Sequence, residues 1–305
     1  MDIVFIPVTT MSKIAAVQVL LLHGLNSSPL EFGLIAHSLK SRGIAHVALE
    51  VPGYTNADSR KPTSWRSWLD ATGDAVNAST TGDRPVVLGG LCMGGMLAAA
   101  LALDKRSTAD GLALLSPTFV YNGWGLSPWR HLRHLGYWLG LGRRISIAER
   151  EPYGVKNPKI RKWIAHGMSE RANSAAGPAR LPLWALREGE ALIAHVRKRL
   201  QAIECPTLVI HAREDEVTRL ASVQTLVDLM PTRQKRLIVL ENSYHMITMD
   251  NDRRQVVDEL ARFAREIAGP ARLTRVSESD SCPPPRSGLQ ERLVACNGQR
   301  GSEYG

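Results

Sequence analysis

A chain of 305 residues, 44% of them hydrophobic, can bury one large α/β domain or two small ones, which excludes a fibrous or disordered chain as its main character. Its formal charge of +9 comes without a recognisable nucleic-acid module, and no run approaches the roughly 18 apolar residues that span a bilayer. Neither nucleic-acid binding nor stable membrane insertion is therefore expected.

Residues 1–14 read as a short lead. They hold no basic segment followed by a long apolar one, so a signal peptide is not expected, and Met11 is an alternative start to Met1. Residues 17–22 form an apolar run broken only by Gln18, the pattern of a buried strand, ending at His23-Gly24. Ser28-Pro29-Leu30-Glu31 has the form of a capping box with proline at the first helical position, predicting a helix to about Arg42 with Gly43 as its stop. A strand is predicted over 44–51, a loop over 54–62, and a helix over 63–78 carrying Trp65 and Trp68.

The next strand, 85–88, runs into Gly90-Leu91-Cys92-Met93-Gly94-Gly95 and then into a helix over 93–103. Strand, tight turn and helix around G-x-nucleophile-x-G is a nucleophile elbow, here with cysteine as the nucleophile. Gly90 and Gly94 provide the room such a turn needs, because its backbone is strained and chain segments approach closely. Further strands are predicted over 111–116, 207–212 and 236–240, with helices over 219–230 and 252–267. Buried strands alternating with helices predict an α/β fold with a mostly parallel, doubly wound sheet.

Residues 118–205 interrupt that rhythm and read as an inserted helical lid. The segment holds five of the seven tryptophans, Trp124, Trp129, Trp138, Trp163 and Trp184. Most are expected to fill a small core of the lid, with one or two near 121–129 facing substrate. It also carries 15 Lys or Arg against 6 Asp or Glu, an excess equal to the whole net charge. From residue 269 the periodicity dissolves into Ser/Asp/Pro-rich sequence, so 269–305 reads as a disordered tail, leaving 15–268 as the folded domain. Cys92, Cys205, Cys282 and Cys296 have no metal-ligand spacing and are too sparse for a disulfide framework, so a reducing, cytoplasmic setting is expected.

A cysteine nucleophile requires a base and a group that orients the base. Asp215, on the loop after the 207–212 strand, is the candidate acid, with Glu214 and Glu216 as competitors; His245, after the 236–240 strand, is the candidate base. Cys92, Asp215 and His245 follow the chain order of an α/β-hydrolase triad, each at the carboxyl end of a strand, where active sites of open α/β sheets form. The backbone N–H groups of Met93 and Leu25 are the expected oxyanion hole, with His23 and Gly24 supporting the loop.

Leu20-Leu21-Leu22-His23-Gly24, the elbow, His211-Ala212-Arg213-Glu214-Asp215 and Ser243-Tyr244-His245 resemble the α/β-hydrolase superfamily over about residues 15–268. The spacing is similar to bacterial carboxylesterases and monoacylglycerol lipases, although those use serine. A cysteine in G-x-C-x-G-G is similar to dienelactone hydrolases and polyhydroxyalkanoate synthases, but the chain is too short and too differently arranged for a typical synthase. The resemblance implies hydrolysis of a small or medium carboxylic ester, or a lactone, through an acyl-Cys92 intermediate, with no metal or organic cofactor. Two other readings remain open. One is a thioesterase or acyltransferase working on CoA or carrier thioesters, with the basic lid attracting an acidic acyl-carrier protein. The other is a non-catalytic ligand-binding protein on a hydrolase scaffold.

Overall fold

In the computed structural model, residues 16–56, 61–80, 82–104, 109–171 and 173–269 are described. The lead expected over 1–14, and all but the first residue of the tail expected over 269–305, lie outside them, as do Cys282 and Cys296.

Six strands form one sheet: β1 (Gln18–Leu22), β2 (Ala45–Leu49), β3 (Val86–Leu91), β4 (Gly111–Leu115), β9 (Thr207–Ala212) and β10 (Lys235–Leu240). Their order is β10-β9-β4-β3-β1-β2, and every pairing is parallel. β1, β3, β4 and β9 are buried along their whole length, which explains their largely apolar sequence, with Gln18, Thr207 and His211 as the polar exceptions. Because β1, β3, β4 and β9 are neighbours, their carboxyl ends deliver the loops at 23–25, 92, 116–118 and 213–217 to one edge of the sheet.

Helices cover both faces. α1 (Gly33–Ser41) and α8 (Arg253–Ala268) bury Ile35, Leu39, Val256, Leu260 and Phe263 against one face. α2 (Trp65–Ser79), α3 (Met93–Leu103) and α7 (Leu220–Asp228) pack on the other. α3 is buried on nearly every side, so its sequence is apolar all round rather than amphipathic. Cys92 packs against both cores, at the sheet edge where they meet.

The segment between β4 and β9 carries α4 (Arg133–Trp138), α5 (Pro158–Arg171) and α6 (Leu183–Arg197). Two small antiparallel pairs join them, β5 (Ser146–Ala148) with β8 (Arg180–Pro182) and β6 (Asn173–Ser174) with β7 (Gly177–Pro178). α6 does not sit in a separate small core: Trp184, Leu192, Ile193 and Val196 belong to the main core with α2 and α3. The expectation that most of the tryptophans fill a core of the lid's own fails for Trp138 and Trp163, which are exposed, and for Trp184, which joins the main core; Trp124 lies in the 121–129 stretch excepted from it. Trp124, Trp138 and Trp163 are 55%, 81% and 52% exposed, while Trp184 is buried.

The sequence also misplaces one helix start. Ser28 makes no side-chain cap, residues Pro29–Phe32 form a 3-10 turn, and α1 begins only at Gly33. Glu31 bonds elsewhere, to the Gly24 N–H at 2.7 Å. A capping box does form at α2, where Ser64 and Ser67 each accept the other's backbone N–H.

Candidate active site

The elbow forms as the glycine spacing requires. Cys92 has φ 57° and ψ −117°, a backbone region that L side chains rarely adopt, and its N–H donates to Leu115 O at 2.9 Å. A Cβ at Gly94 would overlap the carbonyl oxygens of Leu22 and His23, and one at Gly90 would overlap the Gly94 backbone. Those contacts hold the turn shut, so the strain at Cys92 is supported by β1 on one side and β4 on the other.

Asp215 and His245 are brought together. Asp215 Oδ1 accepts the N–H groups of Val217 and Thr218, both at 2.8 Å, which fixes the carboxylate. Its Oδ2 accepts His245 Nδ1–H at 2.8 Å, an interaction buried from solvent. Burial works to raise the Asp215 pKa, but the His245 charge, their hydrogen bond and the Thr218 N–H together lower it. Burial works against a charge on His245, yet Asp215 and the nearby Cys92 sulfur raise its pKa well above the ordinary histidine value. Its Nε2 is buried without a hydrogen-bond partner among the described residues. The acid competitors go elsewhere: Glu214 pairs with Lys156 Nζ at 2.9 Å, and Glu216 accepts the backbone N–H of His245 at 3.1 Å. Burial raises the Glu216 pKa to about 7, with the His245 charge opposing it and Asp215 adding to it.

Across the turn lies the His23-Gly24-Leu25 loop. His23 donates from Nδ1 to Gly24 O at 2.9 Å and accepts the Thr55 hydroxyl at Nε2 at 2.7 Å, stacked on Tyr54. Burial lowers its pKa to about 4, so it is neutral at ordinary pH. Leu25 packs against the same core as Met93, and both approach Gly189 of α6. Met93 opens α3, so its N–H has no acceptor within that helix. Glu31 lies beneath this loop, and burial raises its pKa to about 7 against the stabilising Gly24 N–H.

Four contributors escaped sequence reasoning. The Thr118 hydroxyl meets Cys92 Sγ at 3.1 Å, from a buried loop that no motif marks. Glu31 read as a capping residue, and Glu216 only as a rival acid. Asp250, fully buried, accepts backbone N–H groups from Lys156, Asn157, Tyr244 and Asn251 at 2.7–2.9 Å, clamping the His245 loop to the β4–β9 segment. Among the described residues, no helix is long and apolar enough to cross a membrane.

The family model described as "Serine aminopeptidase, S33" matches residues 14–252. The thermostable monoacylglycerol lipase of Bacillus sp. (strain H-257) is 22% identical over 261 residues, covering 83% of this chain and 92% of that protein. Monoglyceride lipase of Saccharomyces cerevisiae, solved as a soluble variant with a substrate analogue, superposes with a TM-score of 0.69 at 15% identity, covering 86% and 90% of the two chains. Monoacylglycerol lipase of Paleococcus ferrophilus gives 0.68 at 17% identity, covering 82% and 94%. The sheet, the strained turn and this match over most of the chain lead to one assignment: the protein is an enzyme of the α/β-hydrolase fold and belongs to the serine aminopeptidase S33 family, with Cys92 at the turn between β3 and α3.

Proposed function

We propose that the protein hydrolyses small or medium carboxylic esters through an acyl-Cys92 intermediate, with Cys92, His245 and Asp215 as its triad and no cofactor. The observation that carries this reading is the buried Asp215–His245 hydrogen bond, whose free Nε2 belongs to the ring beside the elbow sulfur. The similarity to a curated monoacylglycerol lipase along most of both chains favours an ester as substrate. His245 Nε2 takes the thiol proton, and the sulfur pair attacks the acyl carbon. The carbonyl electrons move onto oxygen, where the Leu25 and Met93 N–H groups receive the charge. Collapse expels the alcohol, protonated by His245. A water, deprotonated by the same nitrogen, then attacks the thioester and returns the sulfur to its thiol. Residues 118–205 act as the lid over this site.

Thioester exchange or acyl transfer is a second reading, favoured by the elbow cysteine itself. An acyl group on sulfur moves to another thiol at almost equal free energy. The basic excess of residues 118–205 offers only limited support for an acidic carrier, because Arg133 is taken up by Glu190 and Lys156 by Glu214.

Intact-mass analysis after mixing with p-nitrophenyl acyl esters tests the scheme. An acyl increment with turnover is expected for the parent protein, and neither for Cys92→Ala. Turnover that survives in Cys92→Ala overturns the nucleophile assignment. Absence of both adduct and turnover across short and long acyl chains overturns the hydrolase reading. Product on an added thiol or alcohol in place of free acid selects acyl transfer.

A further inference from the structure

The Thr118 hydroxyl has one proton to place, and the residue is fully buried. Other threonines in this protein solve that problem locally: Thr72, Thr80 and Thr225 each donate to the carbonyl four residues earlier. Thr118 does not. Among the described residues its hydroxyl meets only Cys92 Sγ, at 3.1 Å.

The loop holding it is fixed on several sides. Ser116, itself at φ 40°, donates its N–H to Ile210 O at 2.7 Å. The Phe119 N–H reaches Pro117 O at 3.1 Å, and the Thr218 hydroxyl, on the loop that carries Asp215, donates to Val120 O at 2.8 Å. The same Asp215 loop therefore anchors both His245 and the segment bearing Thr118. Meanwhile His245 Nε2 has no hydrogen-bond partner by geometry among the described residues, yet the nearby Cys92 sulfur raises the His245 pKa, so the sulfur lies within reach of both the hydroxyl and the ring.

We propose that Thr118 is a further catalytic residue, whose hydroxyl donates to the Cys92 sulfur and stabilises it as the thiolate. The inference rests on the reading of Cys92 as nucleophile. When the S–H bond breaks and its proton passes to His245 Nε2, the negative charge stays on sulfur. The Thr118 O–H then becomes a charge-assisted donor, a stronger bond than the one to the neutral thiol. When sulfur attacks an acyl carbon its charge is spent in the new S–C bond, and the bond to Thr118 weakens again. Thr118 thus raises the population of the attacking form while slightly lowering its intrinsic reactivity, since nucleophilicity falls with basicity.

Alkylation by iodoacetamide reads this without any ester substrate. The rate of Cys92 carboxamidomethylation is measured on the Cys92-containing peptide by quenching and proteolytic mass spectrometry, which separates it from Cys205, Cys282 and Cys296, from pH 5 to 10 for the parent, Thr118→Val and Thr118→Ser. In Thr118→Val the pH of half-maximal rate is expected to rise by about one unit, about a tenfold loss of reactive sulfur below the midpoint. The plateau at high pH should stay equal to the parent's or rise slightly. Thr118→Ser, which keeps the hydroxyl, should restore the parent midpoint. A valine variant with an unchanged midpoint overturns the proposal, and so does an equal shift in the serine variant, which would assign the effect to packing. No Cys92 alkylation in the parent at any pH overturns both this proposal and the nucleophile reading. An unchanged midpoint beside normal ester turnover removes the role of Thr118 and leaves the hydrolase reading standing.

Discussion

Asp215 and His245 stand 30 positions apart in sequence and 2.8 Å apart in space, joined by a buried hydrogen bond between the loops that follow β9 and β10. Parallel pairing of these strands, Thr207 to Lys235 through Ala212 to Leu240, sets that distance. The two N–H groups on Asp215 Oδ1 leave Oδ2 as the oxygen aimed at the ring. A carboxylate so held stays ionised where burial alone would protonate it.

Asp215→Asn removes that charge while keeping the shape. The Asp215 pKa is lowered on folding, so its stabilisation is present above the unfolded carboxylate value and disappears as pH falls through the folded one. The His245 pKa is raised, so its share is complete below about 6.5 and disappears as pH rises through the folded value. Denaturant unfolding should therefore show the largest loss near pH 5–6, about 3–5 kcal/mol, shrinking towards pH 2. Ester turnover should fall by about 10³-fold or more.

Glu216→Gln should act in the opposite direction on stability. Its folded pKa of about 7 lies above the ordinary carboxyl value, so the folded state binds more protons than the unfolded one between those values. Stability then falls as pH rises through that window. Glutamine removes the dependence. Thermal unfolding should show the variant gaining on the order of 1–3 kcal/mol over the parent at pH 8, and much less at pH 5.

Gly94→Ala is expected to destroy the elbow. The added methyl would overlap the carbonyls of Leu22 and His23, both backbone atoms of the central sheet's edge, which cannot rotate away. A loss of about 3 kcal/mol or more in urea unfolding should accompany the disappearance of Cys92 alkylation. Gly33→Ala, where a Cβ would meet open space at a helical φ of −54°, serves as the control: it should keep Cys92 alkylation and leave stability equal to the parent's or up to about 1 kcal/mol higher.

Asp250→Ala would strand the four N–H groups that the carboxylate now accepts. Those groups belong to the His245 loop and to residues 156–157, so loosening should reach both. A loss on the order of 3–5 kcal/mol is expected. Hydrogen exchange should rise at Tyr244 and at Lys156–Asn157 before it rises in β3.

The sequence alone carries the parallel sheet and the elbow, because both are written in local chemistry. Strands buried on two faces need unbroken apolar runs, as in Leu20-Leu21-Leu22, and a strained turn between strand and helix needs the small residues at 90 and 94. It also proposes Asp215 and His245 by their order along the chain. What it cannot carry is set by contacts between distant segments. Glu31 obeys the local pattern of a helix cap, yet burial beneath the 23–25 loop turns its carboxylate to Gly24. Trp138 looks like core and stands 81% exposed, because nothing in the described fold reaches across to cover it. Asp250 and Thr118 belong to no motif, and they acquire their partners only when the strand ends converge. Local sequence decides which turns and strands can form. Only the packed sheet decides which of three neighbouring acids meets the imidazole ring of His245, and which hydroxyl meets the sulfur of Cys92.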